Sequence, residues 1–220
     1  MYIRSSFVAV TVIVLSLALV PATFAIDNAI GIRGGVGLSQ FRGSSFQALV
    51  AAGVERESLV GFELAAVGVI GVTEVFAVQP EFGITSVGGS YTIGASQRTE
   101  RATYVIVPVL AKFVAPRSTL RPTFVIGPSA KFLIGTGGGE RDGVSFDYAD
   151  GVLATPIFAV VAGVGLESVT PNGFRGFDIR VSYDLQSFLE PDVNDDFDQR
   201  VLYFSINGTF ATNLGRDRAL

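Results

Sequence analysis

One property limits the fold of this chain more than any other: apolar residues alternate with polar or small ones along most of its length. In Phe177-Asp178-Ile179-Arg180-Val181-Ser182-Tyr183-Asp184-Leu185-Gln186, the apolar side chains share one face of an extended strand. Asp178, Arg180, Ser182, Asp184 and Gln186 share the other. Phe76, Val78, Pro80, Phe82 and Ile84 alternate in the same way with Ala77, Gln79, Glu81, Gly83 and Thr85. Eight such segments run over about 30–41, 61–70, 75–86, 103–114, 122–134, 153–168, 174–187 and 200–212. Each reaches the ~9–11 residues that a tilted strand needs to cross a bilayer. No helical period competes with them, and the longest later apolar run, Ile157 to Leu166, has 10 residues with two Gly among them. The expected class is all-β: an eight-stranded antiparallel up-and-down barrel.

The connections add a second regularity, since long and short ones alternate. Long ones lie near 42–60, 87–102, 135–152 and 188–199, and short ones are Gly71 to Glu74, Ala115 to Arg121 and Thr170 to Gly173. Outer-membrane barrels have an even strand number, short periplasmic turns and long extracellular loops. Eight strands joined this way place both termini in the periplasm and the long loops outside the cell. Aromatic positions fit the same frame. Phe76, Phe113, Phe124, Phe177 and Phe210 are expected to point outward near the short-turn end, and Phe62, Phe132 and Phe158 near the other, as two interfacial belts.

The N-terminus reads as a secretory signal. Met1 to Arg4 carries one positive charge, Phe7 to Val20 is apolar except for Thr11 and Ser16, and Pro21 precedes small residues suited to a cut after Ala25. The 14-residue run is short for the ~20 residues of a membrane helix. The domains expected are therefore a signal peptide, 1–25, and a barrel, 26–220, with 211–220 as a periplasmic extension. No Cys follows the cleavage site, so a bacterial lipoprotein is excluded.

Composition then narrows the chemistry. The 220 residues hold 26 Gly, 18 Phe, no Cys and no His. Disulfides, thiolate catalysis and Cys zinc sites are absent, as are the commonest general base and metal ligand. The formal charge of -4 argues against nucleic-acid binding. Asp192-Val193-Asn194-Asp195-Asp196-Phe197-Asp198 starts like a calcium loop but lacks Gly at the sixth position and has Tyr203 at the twelfth. Gly135 to Gly139 lacks the Lys and Ser or Thr of a phosphate loop. No catalytic, cofactor or metal site is expected, and the chain reads as a non-enzyme.

The inward face mixes small residues with charges. Arg33, Glu63, Glu81, Lys112, Lys131, Glu167, Asp178 and Arg180 are expected to form a lumen charge network of four acids and four bases. Such a network is either a polar track for ions or a structural plug of ion pairs. Eight strands enclose a space that side chains just fill, which favours the plug.

The order of Gln79-Pro80-Glu81-Phe82, Tyr104 to Phe113, Pro122 to Ser129 and Gly163-Val164-Gly165-Leu166-Glu167 resembles the outer-membrane β-barrel domain of Bacteroidota-type bacteria, often labelled porin-family or PorT-family. The resemblance covers nearly all of the chain after the signal. It implies an eight-stranded barrel of the small OmpA/OmpX kind and no particular activity. Such barrels usually end on an aromatic residue read by the assembly machinery, whereas here ten residues follow Phe210. Outer-membrane enzymes of barrel type resemble one another in using His, which this chain lacks.

The function expected is an integral outer-membrane protein with a structural or surface-binding role through its long loops. Its partners would be outer-membrane lipids, the barrel assembly machinery and a loop ligand, with no nucleic acid. The rivals are a narrow ion or solute channel, an accessory component of a secretion system, and a soluble lipid-binding barrel.

Overall fold

The computed structural model describes residues 26–116, 119–134, 137–149, 151–189 and 198–214. The segment 1–25, expected to be a signal peptide, and most of the acidic 192–198 segment lie outside these residues.

Eight long strands close on themselves. They are β1 (Ala29–Arg42), β3 (Leu59–Gly71), β4 (Phe76–Ile93), β5 (Ser96–Val114), β6 (Leu120–Leu133), β9 (Ile157–Thr170), β10 (Gly173–Asp184) and β11 (Arg200–Asn213). The circuit runs β4-β3-β1-β11-β10-β9-β6-β5 and closes through β5 on β4, every pair antiparallel. Closure leaves no strand edge within the wall, and its backbone polar groups pair from strand to strand, with breaks in register beside Pro80, Pro108 and Pro128. β1 and β11 pair without interruption from Ala29↔Asn213 to Arg42↔Arg200. The expected eight-stranded antiparallel barrel is therefore what the chain forms.

The exterior of the wall is apolar. Ile32, Val36, Phe82, Val164, Ile179 and Ile206 are all exposed, on strands distributed around the circumference. Near the short turns Phe76, Phe113 and Phe124 line up on three adjacent strands, with ring centroids 5.3 and 6.2 Å apart. Phe62, Phe132 and Phe158 are exposed toward the long-loop end.

The structure corrects the expected connections. The segment 87–102 is not a loop: β4 and β5 continue through it as a paired ribbon and reverse at Gly94-Ala95, where Gly94 has φ +62°. Its sequence hides the strand because a ribbon projecting beyond the apolar band has no apolar exterior to present, so hydrophobic alternation lapses while backbone pairing continues. The segment 42–60 holds a short helix, α1 (Ser44–Ala51), and β2 (Glu55–Glu57) on the edge of β4. Eight residues with one fully buried side chain, Phe46, are too few for a periodic signal. A hairpin of β7 (Gly138–Arg141) and β8 (Val144–Asp147) fills much of 135–152 and pairs with the β5 extension. β9 begins at Ile157 rather than near 153, since Pro156 has no N–H for the ladder. β11 passes Phe210 and pairs through Asn213, so residues 211–213 belong to the wall rather than to an extension.

Candidate functional site: the charged lumen

Alternation sends every second residue of each strand into the barrel, and the phase of the strands decides which charges meet there. Three layers result.

Nearest the short turns, Lys112 from β5 pairs with Glu167 from β9, and Arg121 approaches the same carboxylate at 3.7 Å. The Lys112 ammonium also lies 4.4 Å from the centre of the Phe174 ring. An apolar floor of Ala29, Val67, Val69, Ala77 and Phe174 closes this end.

The middle layer is built on Glu81. Its Oε2 accepts from Arg33 Nη2 at 2.7 Å and its Oε1 from Arg180 Nη1 at 2.8 Å. Gln79 Nε2 also donates to Oε1, at 2.7 Å. Arg33 pairs further with Glu63 and donates to Asn207 Oδ1 at 2.9 Å. Arg180 Nε lies 2.7 Å from Asp178 Oδ1, which also accepts from Asn207 Nδ2 at 3.0 Å. Glu81, Arg33, Arg180 and Asp178 thus each have more than one partner, the condition under which charges tolerate burial, while Glu63 pairs with Arg33 alone. The crowding is tight: a Cβ on Gly163 would sit 2.8 Å from Arg180 Cγ.

The third layer is the pair Lys131–Asp184, both side chains buried. Above it the long-loop end is sealed by an apolar plug in which Phe46 of α1 packs with Phe41, Phe188 and Leu153. Phe41 lies 5.8 Å from Phe46 and 5.4 Å from Phe188, centroid to centroid.

All eight residues proposed from sequence therefore face the lumen, but in separate groups: Arg33, Glu63, Glu81, Asp178 and Arg180 together, Lys112 with Glu167, and Lys131 apart. Sequence reasoning missed Asp184, the partner of Lys131, along with Arg121, Asn207 and Gln79. Asp184 had a legible signal, because it continues the inward phase of Asp178, Arg180 and Ser182. With Asp184 and Arg121 included, five acids meet five bases.

Little room remains. The cavity between the middle and upper layers measures about 20 Å³, and the one between the lower and middle layers about 10 Å³. Each admits roughly one water. The hydroxyls of Tyr104 and Tyr203 are buried without a hydrogen-bond partner, and Tyr203 lines the larger cavity, where a single water would serve it. Chemically the lumen is a stack of ion pairs, with Arg121 Nε, like the two tyrosine hydroxyls, buried without a hydrogen bond. No cluster of three or more potential metal ligands occurs among the described residues.

Outside the wall, Asp198 holds the start of α1. Its Oδ2 accepts from Ser44 N at 3.0 Å and Ser44 Oγ at 3.2 Å, and its own N–H donates to Ser45 Oγ at 2.9 Å. Arg200 Nε lies 2.7 Å from Asp198 Oδ1. Partial burial pushes this carboxyl upward, but the hydrogen bonds from Arg200 and Ser44 outweigh it and hold it below the usual carboxylate range.

No protein-family model matches the chain, and no curated protein matches it. Solved structures of similar architecture include Ail, the attachment invasion locus protein of Yersinia pestis, in complex with the heparin analogue sucrose octasulfate. It has 15% identity and a TM-score of 0.42, over 84% of this chain and 99% of that one. OprG from Pseudomonas aeruginosa has 10% identity and a TM-score of 0.47, over 85% and 97%. Neisserial surface protein A has 12% identity and a TM-score of 0.46, over 84% and 99%. OprG is an outer membrane protein and the Neisserial protein a surface protein. At such identities the likeness is one of architecture, and the fold here rests on the strand register itself.

Proposed function

We propose that this protein is an integral barrel of the bacterial outer membrane that serves as a surface-binding platform rather than a conduit. The observation that carries this reading is the inverted polarity of the wall, apolar outside and ion-paired inside. A soluble lipid-binding barrel would need the opposite arrangement. Two aromatic rows at the ends of the apolar band support placement in a bilayer. The short turns and both termini then lie in the periplasm, and the β4–β5 ribbon, α1 and the β7–β8 hairpin stand outside the cell. Membrane lipids and the barrel assembly machinery are the partners this placement requires. The filled lumen disfavours the channel alternative, and nothing in the geometry favours a part in secretion.

Heat modifiability tests the placement. The folded barrel is expected to migrate differently before and after boiling and to fractionate with outer membranes. Recovery as a soluble periplasmic protein would overturn it.

A further inference from the structure

Proline offers no N–H to a ladder and is normally confined to the edges of sheets. A closed barrel has no edge, yet Pro80 on β4, Pro108 on β5 and Pro128 on β6 stand on three adjacent strands. The registers break beside each of them and resume on either side.

Bonded and non-bonded pairs alternate along antiparallel strands, so the bonds at the strand ends show which carbonyls are affected. Val114 N donates to Val75 O at 2.9 Å, Ala115 N to Pro122 O at 3.0 Å and Val72 N to Phe76 O at 3.0 Å. Counting in twos from these bonds, Pro108 falls opposite Glu81, Pro128 opposite Val109 and Pro80 opposite Gly68, each in a pair that should be bonded. The carbonyls of Glu81, Val109 and Gly68 therefore lose their strand donors. β5 is affected on both sides at successive residues, Pro108 and Val109. By contrast, β1 and β11 pair without a gap. Unpaired backbone groups are costly in hydrocarbon, and a rule broken three times in one place points to a use for the weakness.

Both surfaces of this part of the wall suit lipid. Outside, Phe82, Val109 and Ile126 are exposed. Inside, Leu110, Val125 and Val161 form an apolar cluster of their own, and Gly127, opposite Val161, adds no side chain to it. Between Glu100 and Lys112 the inward face of β5 is Ala102, Tyr104, Ile106, Pro108 and Leu110, without a charge. Moving the centre of β5 outward thus brings no ion into hydrocarbon, whereas β1, β4 and β10 are tied together by Arg33, Glu81 and Arg180.

We infer that the centre of β5, with the adjoining part of β6, is a lateral panel. It opens toward the bilayer ahead of the rest of the wall, and the acyl chain of a neighbouring lipid then reaches Leu110, Val125 and Val161. Local opening of this kind belongs to the least bonded part of a structure. The inference rests on the bilayer placement proposed above and gives a lumen sealed at both ends an entrance from the side.

The test uses the chain from Ile26, folded in phosphatidylcholine nanodiscs in which a fraction of the lipid carries a diazirine in the middle of one acyl chain. After illumination, mass spectrometry of peptides locates the labelled residues. Outward Phe82 and Phe124 should be labelled, and so should inward Leu110, Val125 and Val161. Inward Ala65, in register with both neighbouring strands, should not. The triple variant Pro80→Val, Pro108→Val, Pro128→Val restores the three donors and should cut the inward labelling by about tenfold or more, with Phe82 unchanged. Pro128→Val alone, which alters nothing inside the lumen, should give part of the effect. Relaxation dispersion should show millisecond exchange at the amides of Val109 and Leu110, absent at Val36 and Ile206 and suppressed in the triple variant. Unboiled and boiled gels confirm a folded barrel in every sample. Inward labelling no greater than at Ala65, or undiminished in the folded proline variants, overturns the inference, while label at Phe82 keeps the bilayer placement. Absence of label at Phe82 and Phe124 as well would remove that placement, and the inference with it.

Discussion

Arg180 and Glu81 meet at 2.8 Å across the full width of the barrel. Their strands, β10 and β4, stand four places apart in either direction around the eight-stranded circuit. One ion pair therefore spans the lumen, and Arg33 reaches the same carboxylate from β1.

Glu81 is the keystone of this layer, so its removal should cost more than that of any rim charge. Glu81→Ala leaves two buried guanidinium groups short of a partner, which typically destabilises by about 3–5 kcal/mol. Urea unfolding in lipid vesicles, read by gel shift, measures the loss. A change below about 1 kcal/mol would show that water or rearranged acids replace the carboxylate freely.

Gly163 is predicted to be intolerant for a steric reason. In Gly163→Val the Cβ meets Arg180 Cγ at 2.8 Å and Ile179 O at 3.0 Å, and overpacking of this kind costs about 1–3 kcal/mol. The variant should unfold at lower urea than wild type, and Gly163→Ala should fall between them.

Planar-bilayer recording of the folded protein should be silent. Two barriers act in series, the ion-paired layers and the apolar plug over them. Replacing residues 43–58, which carry α1 and β2, with a short flexible linker removes Phe46 from the plug but leaves the charge layers beneath intact. That variant should remain silent. Steady conductance from it would make the plug, not the ion pairs, the seal.

What could be read from sequence follows where lipid imposes a pattern. Within the band every second residue must be apolar, so Phe82, Phe124 and Phe177 marked their strands and fixed the inward phase of Glu81, Lys131 and Arg180. Outside the band that pressure vanishes. The ribbon from Val87 to Ala102 pairs as regularly as the wall, yet its Gly, Ser and Thr carry no alternation of hydropathy. The ion pairs were legible as a set but not as contacts, because pairing depends on strand register. Lys131 finds Asp184 rather than a member of the larger group, and no local pattern encodes that.

The clasp on α1 should loosen in acid. The Asp198 carboxyl is held low in the folded protein, with Arg200 as the facing charge. Its contribution is complete above the unfolded Asp value of about 3.9 and is lost as pH falls through the lower folded value. Hydrogen exchange at α1 amides, corrected for intrinsic rates, should therefore speed up below about pH 4. In Asp198→Asn the acid-dependent step should disappear. An identical step in that variant would assign the titration to another group.

Placement in the bilayer predicts opposite outcomes for one chemical change at two exposed apolar sites. Phe82 is 63% exposed in the middle of the apolar band, and Ile93 is 53% exposed at the tip of the β4–β5 ribbon. By exposure alone the two positions are alike, and in water Phe82→Arg and Ile93→Arg would both be nearly neutral. In a membrane, arginine near the midplane of a barrel wall costs about 2–4 kcal/mol, while one beyond the interface costs close to nothing. Unfolding in vesicles should separate the two variants by roughly that amount. Equal stabilities would mean that the band around Phe82 does not face lipid, and the barrel would have to be placed elsewhere.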